Sequence, residues 1–162
     1  MIKLLPLSKG CQNALRVAVL FSTQPAGTVV SRREASRQTK IPSGFLAKIL
    51  QTLARAGILR SHLGALRGYS LARPAGGVSL FDVVRAYDGP VDDTLCVLDG
   101  SKHCPGDQTC ALHSFWAETQ KGVVARLASI SVAEAAKILN RRRGGNGRPG
   151  LPEGKGLGRN FS

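Results

Sequence analysis

Between residues 31 and 71 the sequence leaves little choice of fold. Ser31 caps a short helix through residue 39, Ile41-Pro42 stops it, and Ser43 opens a longer helix through residue 56. In that second helix Phe45, Leu46, Ile49, Leu50 and Leu53 recur at helical spacing and predict a buried stripe. Gly57 follows as the C-terminal stop. Residues 58–62 then read as a strand, 63–68 as a turn and 69–71 as the returning strand. Two helices with a tight break between them make a helix-turn-helix, and a hairpin behind the second makes it a winged helix. The predicted class is mainly α with a small β-hairpin.

The flanks add helices. Residues 8–22 read as one, with Ser8 as N-cap and Ala14, Leu15, Ala18, Val19, Phe21 and Ser22 on its periodic face; Gln24-Pro25-Ala26-Gly27 breaks it. Residues 79–87 form a short helix ended by Gly89-Pro90. Residues 111–130 read as a long helix with an apolar seam of Leu112, Phe115, Trp116, Val123, Leu127 and Ile130. A seam of that length on a small protein needs a partner, and the same helix of a second subunit is the economical one. Residues 132–139 form a last short helix. From Arg141 onward seven glycines in 22 residues and almost no apolar content predict disorder. The expected organisation is a winged helix-turn-helix over 1–90, a cysteine-rich loop over 91–110, a dimerisation helix and C-terminal helix over 111–140, and a disordered basic tail over 141–162.

The 162 residues, 43% of them apolar, suffice for one domain with a modest core. The first ten residues lack the apolar run of a signal peptide, Pro6 interrupting what is there, and no window approaches the roughly 18 apolar residues of a membrane span. A cytoplasmic, membrane-free protein is expected, and there cysteine clusters bind metal more often than they pair.

The net charge of +13 is concentrated. Arg32, Arg33, Arg37, Lys40, Lys48, Arg55, Arg60, Arg67 and Arg73 face Glu34 alone across residues 31–73. Six further Lys and Arg lie in the tail against Glu153, and these two segments account for the whole surplus. A basic segment on an otherwise balanced domain is the footprint of a polyanion partner. A recognition helix places its N-terminal residues near base edges in the major groove. That puts Ser43, Gly44, Ala47, Lys48 and Gln51 on the reading face: Gln51 suits adenine, Lys48 guanine or phosphate, Ser43 phosphate. His62 and Arg67 in the hairpin are placed for a minor groove. Arg32, Arg33, Arg37, Lys40 and Arg60 are expected phosphate contacts.

A second constellation follows. Cys96, Cys104, Cys110 and His113 are spaced C-x7-C-x5-C-x2-H in a chain with only four cysteines. Cys110 and His113 are one helical turn apart, so both can face one site. Three thiolates and an imidazole are a full ligand set. Structural zinc usually takes C-x2–4-C pairs, which are missing; an iron–sulfur cluster tolerates irregular spacing; a disulfide would be an oxidised sensor state. His103 is a weaker ligand candidate, and Cys11 reads as a small buried residue of the first helix. No Ser/His/Asp set, phosphate loop or carboxylate pair points to an enzyme.

With these residues in hand, the chain resembles the IscR/NsrR/RirA family of winged-helix iron–sulfur transcription regulators, from about residue 7 to 138. The likeness rests on SKGCQNALR in the first helix, IPSGFLAKILQTLARAGIL in the second half of the helix-turn-helix, GYSLARP after the wing, SLFDVVRAYDGP, the cysteine loop and the helix opening ALHSFW. It implies a homodimer that binds pseudo-palindromic operators in double-stranded DNA and changes affinity when a cluster is lost, oxidised or attacked by nitric oxide. Cys96, Cys104 and Cys110 match the family's cysteine ligands, and His113 falls where IscR has its histidine ligand. The chain departs from the pattern in its x7 gap, where x5 is usual, and in its wing, where Leu63-Gly64…Arg67-Gly68-Tyr69 stands for Arg-Gly…Gly-Gly-Tyr. Nitric-oxide-sensing relatives carry a carboxylate ligand near the first helix; Cys11-Gln12 stands there, which favours His113 and a [2Fe–2S] over a [4Fe–4S] cluster. Two other functions fit the residues less closely: a winged-helix regulator whose cysteines form a thiol switch or zinc site, and a small iron–sulfur electron carrier, against which the basic segment speaks.

Overall fold

The computed structural model describes residues 7–64, 66–90 and 111–144. Helix α1 (Lys9–Ser22) starts where the Ser8 hydroxyl accepts the Cys11 N–H, and it buries Cys11, Ala14, Val17, Ala18 and Phe21. Leu15 and Val19 are only half-buried, so the core face is rotated by a residue towards Val17. Helix α2 (Arg32–Thr39) starts at Ser31, whose side chain accepts the Glu34 N–H, and ends at Lys40 in the left-handed region, φ 57°. Helix α3 (Ser43–Arg55) buries Leu46, Ile49, Leu50 and Leu53 completely.

Phe45 does not join that stripe: it is 37% exposed, contrary to the expectation from its spacing. Successive residues lie about 100° apart around a helix, so Phe45 falls at the edge of the arc centred between Leu46 and Leu50.

Strands β1 (Leu59–His62) and β2 (Gly68–Leu71) pair antiparallel, Leu59 opposite Leu71 and His62 opposite Gly68. Val30 adds a one-residue bridge to Tyr69 through hydrogen bonds of 2.8 and 2.9 Å, tying the hairpin to the segment before α2. That approach requires a glycine: a Cβ on Gly68 would lie 2.6 Å from the Val30 carbonyl oxygen.

After a single turn of 3-10 helix (Ala75–Gly77), helix α4 (Leu80–Asp88) opens on a reciprocal capping box between Ser79 and Asp82. Burial would raise the Asp82 carboxyl, but the Ser79 backbone and hydroxyl donors and the nearby Arg73 and Arg85 hold it below its ordinary value. Helices α5 (Ala111–Ser129) and α6 (Val132–Gly144) complete the described chain. Their junction is fixed to the core by backbone: Leu80 N–H donates to Ile130 O at 2.8 Å and Val132 N–H to Val78 O at 2.9 Å. Val132 is fully buried. Helix α6 runs through residues 141–144, where the sequence reading begins a disordered tail; arginine is a strong helix former and continues the helix begun at Val132. The remainder of that tail, 145–162, and the cysteine loop, 91–110, lie outside the described residues.

Helix α5 has no fully buried residue among those whose burial is described. Leu112 and Phe115 are 44% and 65% exposed, and Val123 and Leu127 half-buried, so the apolar seam lacks a complete cover among the described residues. No described helix is long and apolar enough to cross a membrane.

Gly68→Ala is expected to cost about 1–3 kcal/mol, because the added methyl meets the Val30 backbone, which cannot swing aside, as well as Cγ1 of Val29. Urea unfolding at matched protein concentration measures it; an unchanged midpoint would mean that the Val30–Tyr69 bridge is not a fixed contact.

Candidate nucleic-acid interface

The turn between α2 and α3 is closed by side chains. Ser36 Oγ donates to Ile41 O at 2.6 Å, Thr39 Oγ1 to Ala35 O at 2.7 Å, and Arg16 Nη2 reaches from α1 to the Thr39 carbonyl at 2.6 Å. With Ile41 buried beneath it, this turn fixes the angle at which α3 leaves α2. The inner side of α3 is in the core, so Ser43, Gly44, Lys48 and Gln51 are exposed along its outer side, with Ala47 half-buried among them.

A cleft of about 810 Å³ runs between the starts of α2 and α3 and the hairpin. Its lining includes Arg32, Arg33, Ser43, His62 and Arg67, five of the expected DNA contacts. Ser31, Ser36, Ser61, Leu63, Gly68 and Tyr69 complete it. Arg37, Lys40, Lys48, Gln51 and Arg60 are exposed but outside this lining.

Two of the expected contacts have partners of their own. Arg37 makes a bidentate pair with Glu34, Nε to Oε2 at 3.0 Å and Nη2 to Oε1 at 2.8 Å, and Gln38 donates to the same carboxylate. Those bonds hold the Glu34 carboxyl below the usual carboxylate range and push the Arg37 guanidinium up. His62 is half-buried, with Nε2 2.8 Å from Ser70 Oγ across the hairpin. Arg73, part of the basic segment, turns away to Asp82 at 3.1 Å. Phe45 is the residue that spacing missed: an aromatic ring open to solvent in the first turn of α3, suited to contact a thymine methyl.

Of the expected metal ligands, Cys96, Cys104 and Cys110 lie outside the described residues. His113 is half-buried in the first turn of α5, three residues after Cys110 in sequence. No three His, Cys, Asp or Glu side chains converge on a metal position among the described residues. Cys11 is fully buried; that burial first, then the Asp88 charge and a hydrogen bond to it, push its thiol up to about 12. A neutral, enclosed thiol is a poor ligand and nucleophile. Its raised value contributes stability up to the unfolded thiol value near pH 9, a contribution lost as pH rises from 9 towards 12. Iodoacetamide at pH 8 is expected to modify Cys11 more than about a hundredfold more slowly in native protein than in urea, read by peptide mass spectrometry. Equal rates would place Cys11 among the accessible thiols.

Residues 7–138 match the family model Rrf2, iron-dependent transcriptional regulator. Over 127 residues the chain is 31% identical to the HTH-type transcriptional regulator IscR of Xenorhabdus nematophila, which covers 72% of this chain and 76% of that one. The fold superposes on CymR, the global cysteine regulator of B. subtilis, with a TM-score of 0.69 at 20% identity, over 85% of this chain and 98% of that one. It superposes on T. potens IscR with a TM-score of 0.68 at 21% identity, over 88% and 94% of the two chains.

Proposed function

The chain belongs to the Rrf2 family of iron-dependent transcriptional regulators, and from that premise we propose that it is a cytoplasmic homodimer whose grip on a pseudo-palindromic operator is set by an iron–sulfur cluster. The observation that carries the DNA half is the cleft, where Arg32, Arg33, Ser43 and Arg67 surround a path leading from the outer side of α3 to the wing. Helix α3 would enter the major groove with Ser43, Lys48 and Gln51 at base edges and Phe45 against a methyl group. The backbone would pass through the cleft, with Arg37, Lys40 and Arg60 on neighbouring phosphates. Dimerisation would cover Leu112 and Phe115 on α5 and space the two recognition helices.

Cys96, Cys104, Cys110 and His113 would hold the cluster, [2Fe–2S] in preference to [4Fe–4S], because three thiolates and one imidazole are by type a complete ligand set. A bound cluster supplies a group whose loss or oxidation changes the state of its ligands. The chain does the rest. His113 would tie the first turn of α5 to the cluster, and the backbone pairing of Ile130–Val132 with Val78–Leu80 fastens the other end of the helix to the winged helix. A change in the 91–110 segment is then transmitted through α5 to the spacing of the α3 helices, as a shift between two populations. A second reading keeps the DNA half and makes the cysteines a thiol switch or zinc site; the likeness of the fold to CymR fits this reading as well.

Protein purified without oxygen is expected to be coloured, with iron and acid-labile sulfide in equal amounts and visible bands of a [2Fe–2S] centre. Replacing Cys96, Cys104 and Cys110 by Ala should abolish the colour and change operator affinity at least about tenfold. Colourless wild-type protein, or a triple variant that binds DNA as the coloured protein does, would defeat the cluster reading and leave the second one.

A further inference from the structure

The most exposed large apolar side chains among the described residues stand at the tip of the wing: Leu63 is 89% and Leu66 75% exposed. Neither belongs to the hydrophobic core. The exposed apolar residues of α5 lie on a helix seam that a second copy would cover, but the wing lies at the other functional surface. Leu63 lines the cleft beside Arg32, Arg33 and Arg67. Gly64 turns the backbone between the leucines with φ +90°, and the His62–Gly68 pair closes the loop behind them. His62, the other hairpin residue expected to reach DNA, is held by Ser70. What projects from the wing is therefore two leucines followed by one arginine.

That combination has a specific use. A cationic rim holds the phosphates, and an apolar side chain offers nothing to phosphate but fits between base steps and against deoxyribose walls. We propose that the wing tip enters the minor groove with Leu63 and Leu66 as an apolar wedge that partly unstacks one base step in each half-site, Arg67 following into the groove. The wedge rests on the DNA-binding reading above and extends it. Specificity at that position then comes from the ease of opening a step, favouring flexible pyrimidine–purine steps, with no hydrogen bond to a base edge.

The test begins with duplexes selected from a random pool by the full-length chain, carrying 2-aminopurine at the base steps under the wing. Wild-type protein is expected to raise the fluorescence at one step per half-site. Leu63→Ser with Leu66→Ser should abolish that rise and weaken binding roughly tenfold, with the salt dependence of affinity and the thermal unfolding curve unchanged. Arg67→Ala should keep the rise and reduce the log–log salt slope by about 0.9. A leucine double variant that keeps wild-type affinity and fluorescence overturns the wedge. If that variant keeps both yet no longer controls a reporter promoter, the leucines contact a protein and the wedge is equally overturned. A wild-type chain that enriches no duplex overturns the DNA-binding reading itself, and the wedge with it.

Discussion

The docking of α3 on α1 is the contact on which the rest depends. Leu46, Ile49, Leu50 and Leu53 on one side meet a face of α1 whose Ala14 and Ala18 have little bulk and whose Val17 and Phe21 fill the flanks, all buried to 2% exposure or less. Each leucine or isoleucine so buried is worth about 1.5–3 kcal/mol relative to exposure, enough together to dominate the orientation of a thirteen-residue helix. With that side committed, the polar side of α3 has one direction left, outward. The same core receives Ile58, Leu59 and Val30, so the wing is placed against the recognition helix by burial as well as by the Val30–Tyr69 bridge.

Charge is then added to a surface whose shape the core has set. Glu34, the one acidic residue of the basic segment, is satisfied locally by Arg37 and Gln38 at the exposed side of α2. It shapes α2 and opposes a polyanion little, because its charge is already matched by Arg37. Arg16 and Arg73 are spent on structure, one on the carboxyl end of α2 and the other on Asp82. The cations lining the cleft, Arg32 and Arg33 from the start of α2 and Arg67 from the hairpin loop, are brought together by the turn geometry and the hairpin register.

Much of this was legible in the sequence because local signals agreed with the tertiary result. Ser8, Ser31 and Ser79 accept backbone donors at the helix starts, Ile41-Pro42 breaks the chain where a left-handed Lys40 turns it, and the hairpin falls where strand and turn residues alternate. What was not legible depends on distant partners. The rotation of α1 towards Val17 and the exposure of Phe45 follow from which neighbours are present, and periodicity fixes a face only to within about 100°. The Arg16 cap, the His62–Ser70 bond and the backbone pairing of Val78–Leu80 with Ile130–Val132 join residues far apart in sequence or outside any regular pattern. The polar types on the candidate DNA face were readable one by one; the cleft that gathers five of them was not.

Hydroxyl-radical footprinting of the full-length chain on a selected duplex addresses the central claim most directly. A dimer that presents two α3 helices to one side of the duplex should protect two tracts related by two-fold symmetry, with centres about 10 base pairs apart or at a multiple of that spacing. A single protected tract, or two tracts without that symmetry, would contradict a dimer reading a pseudo-palindrome.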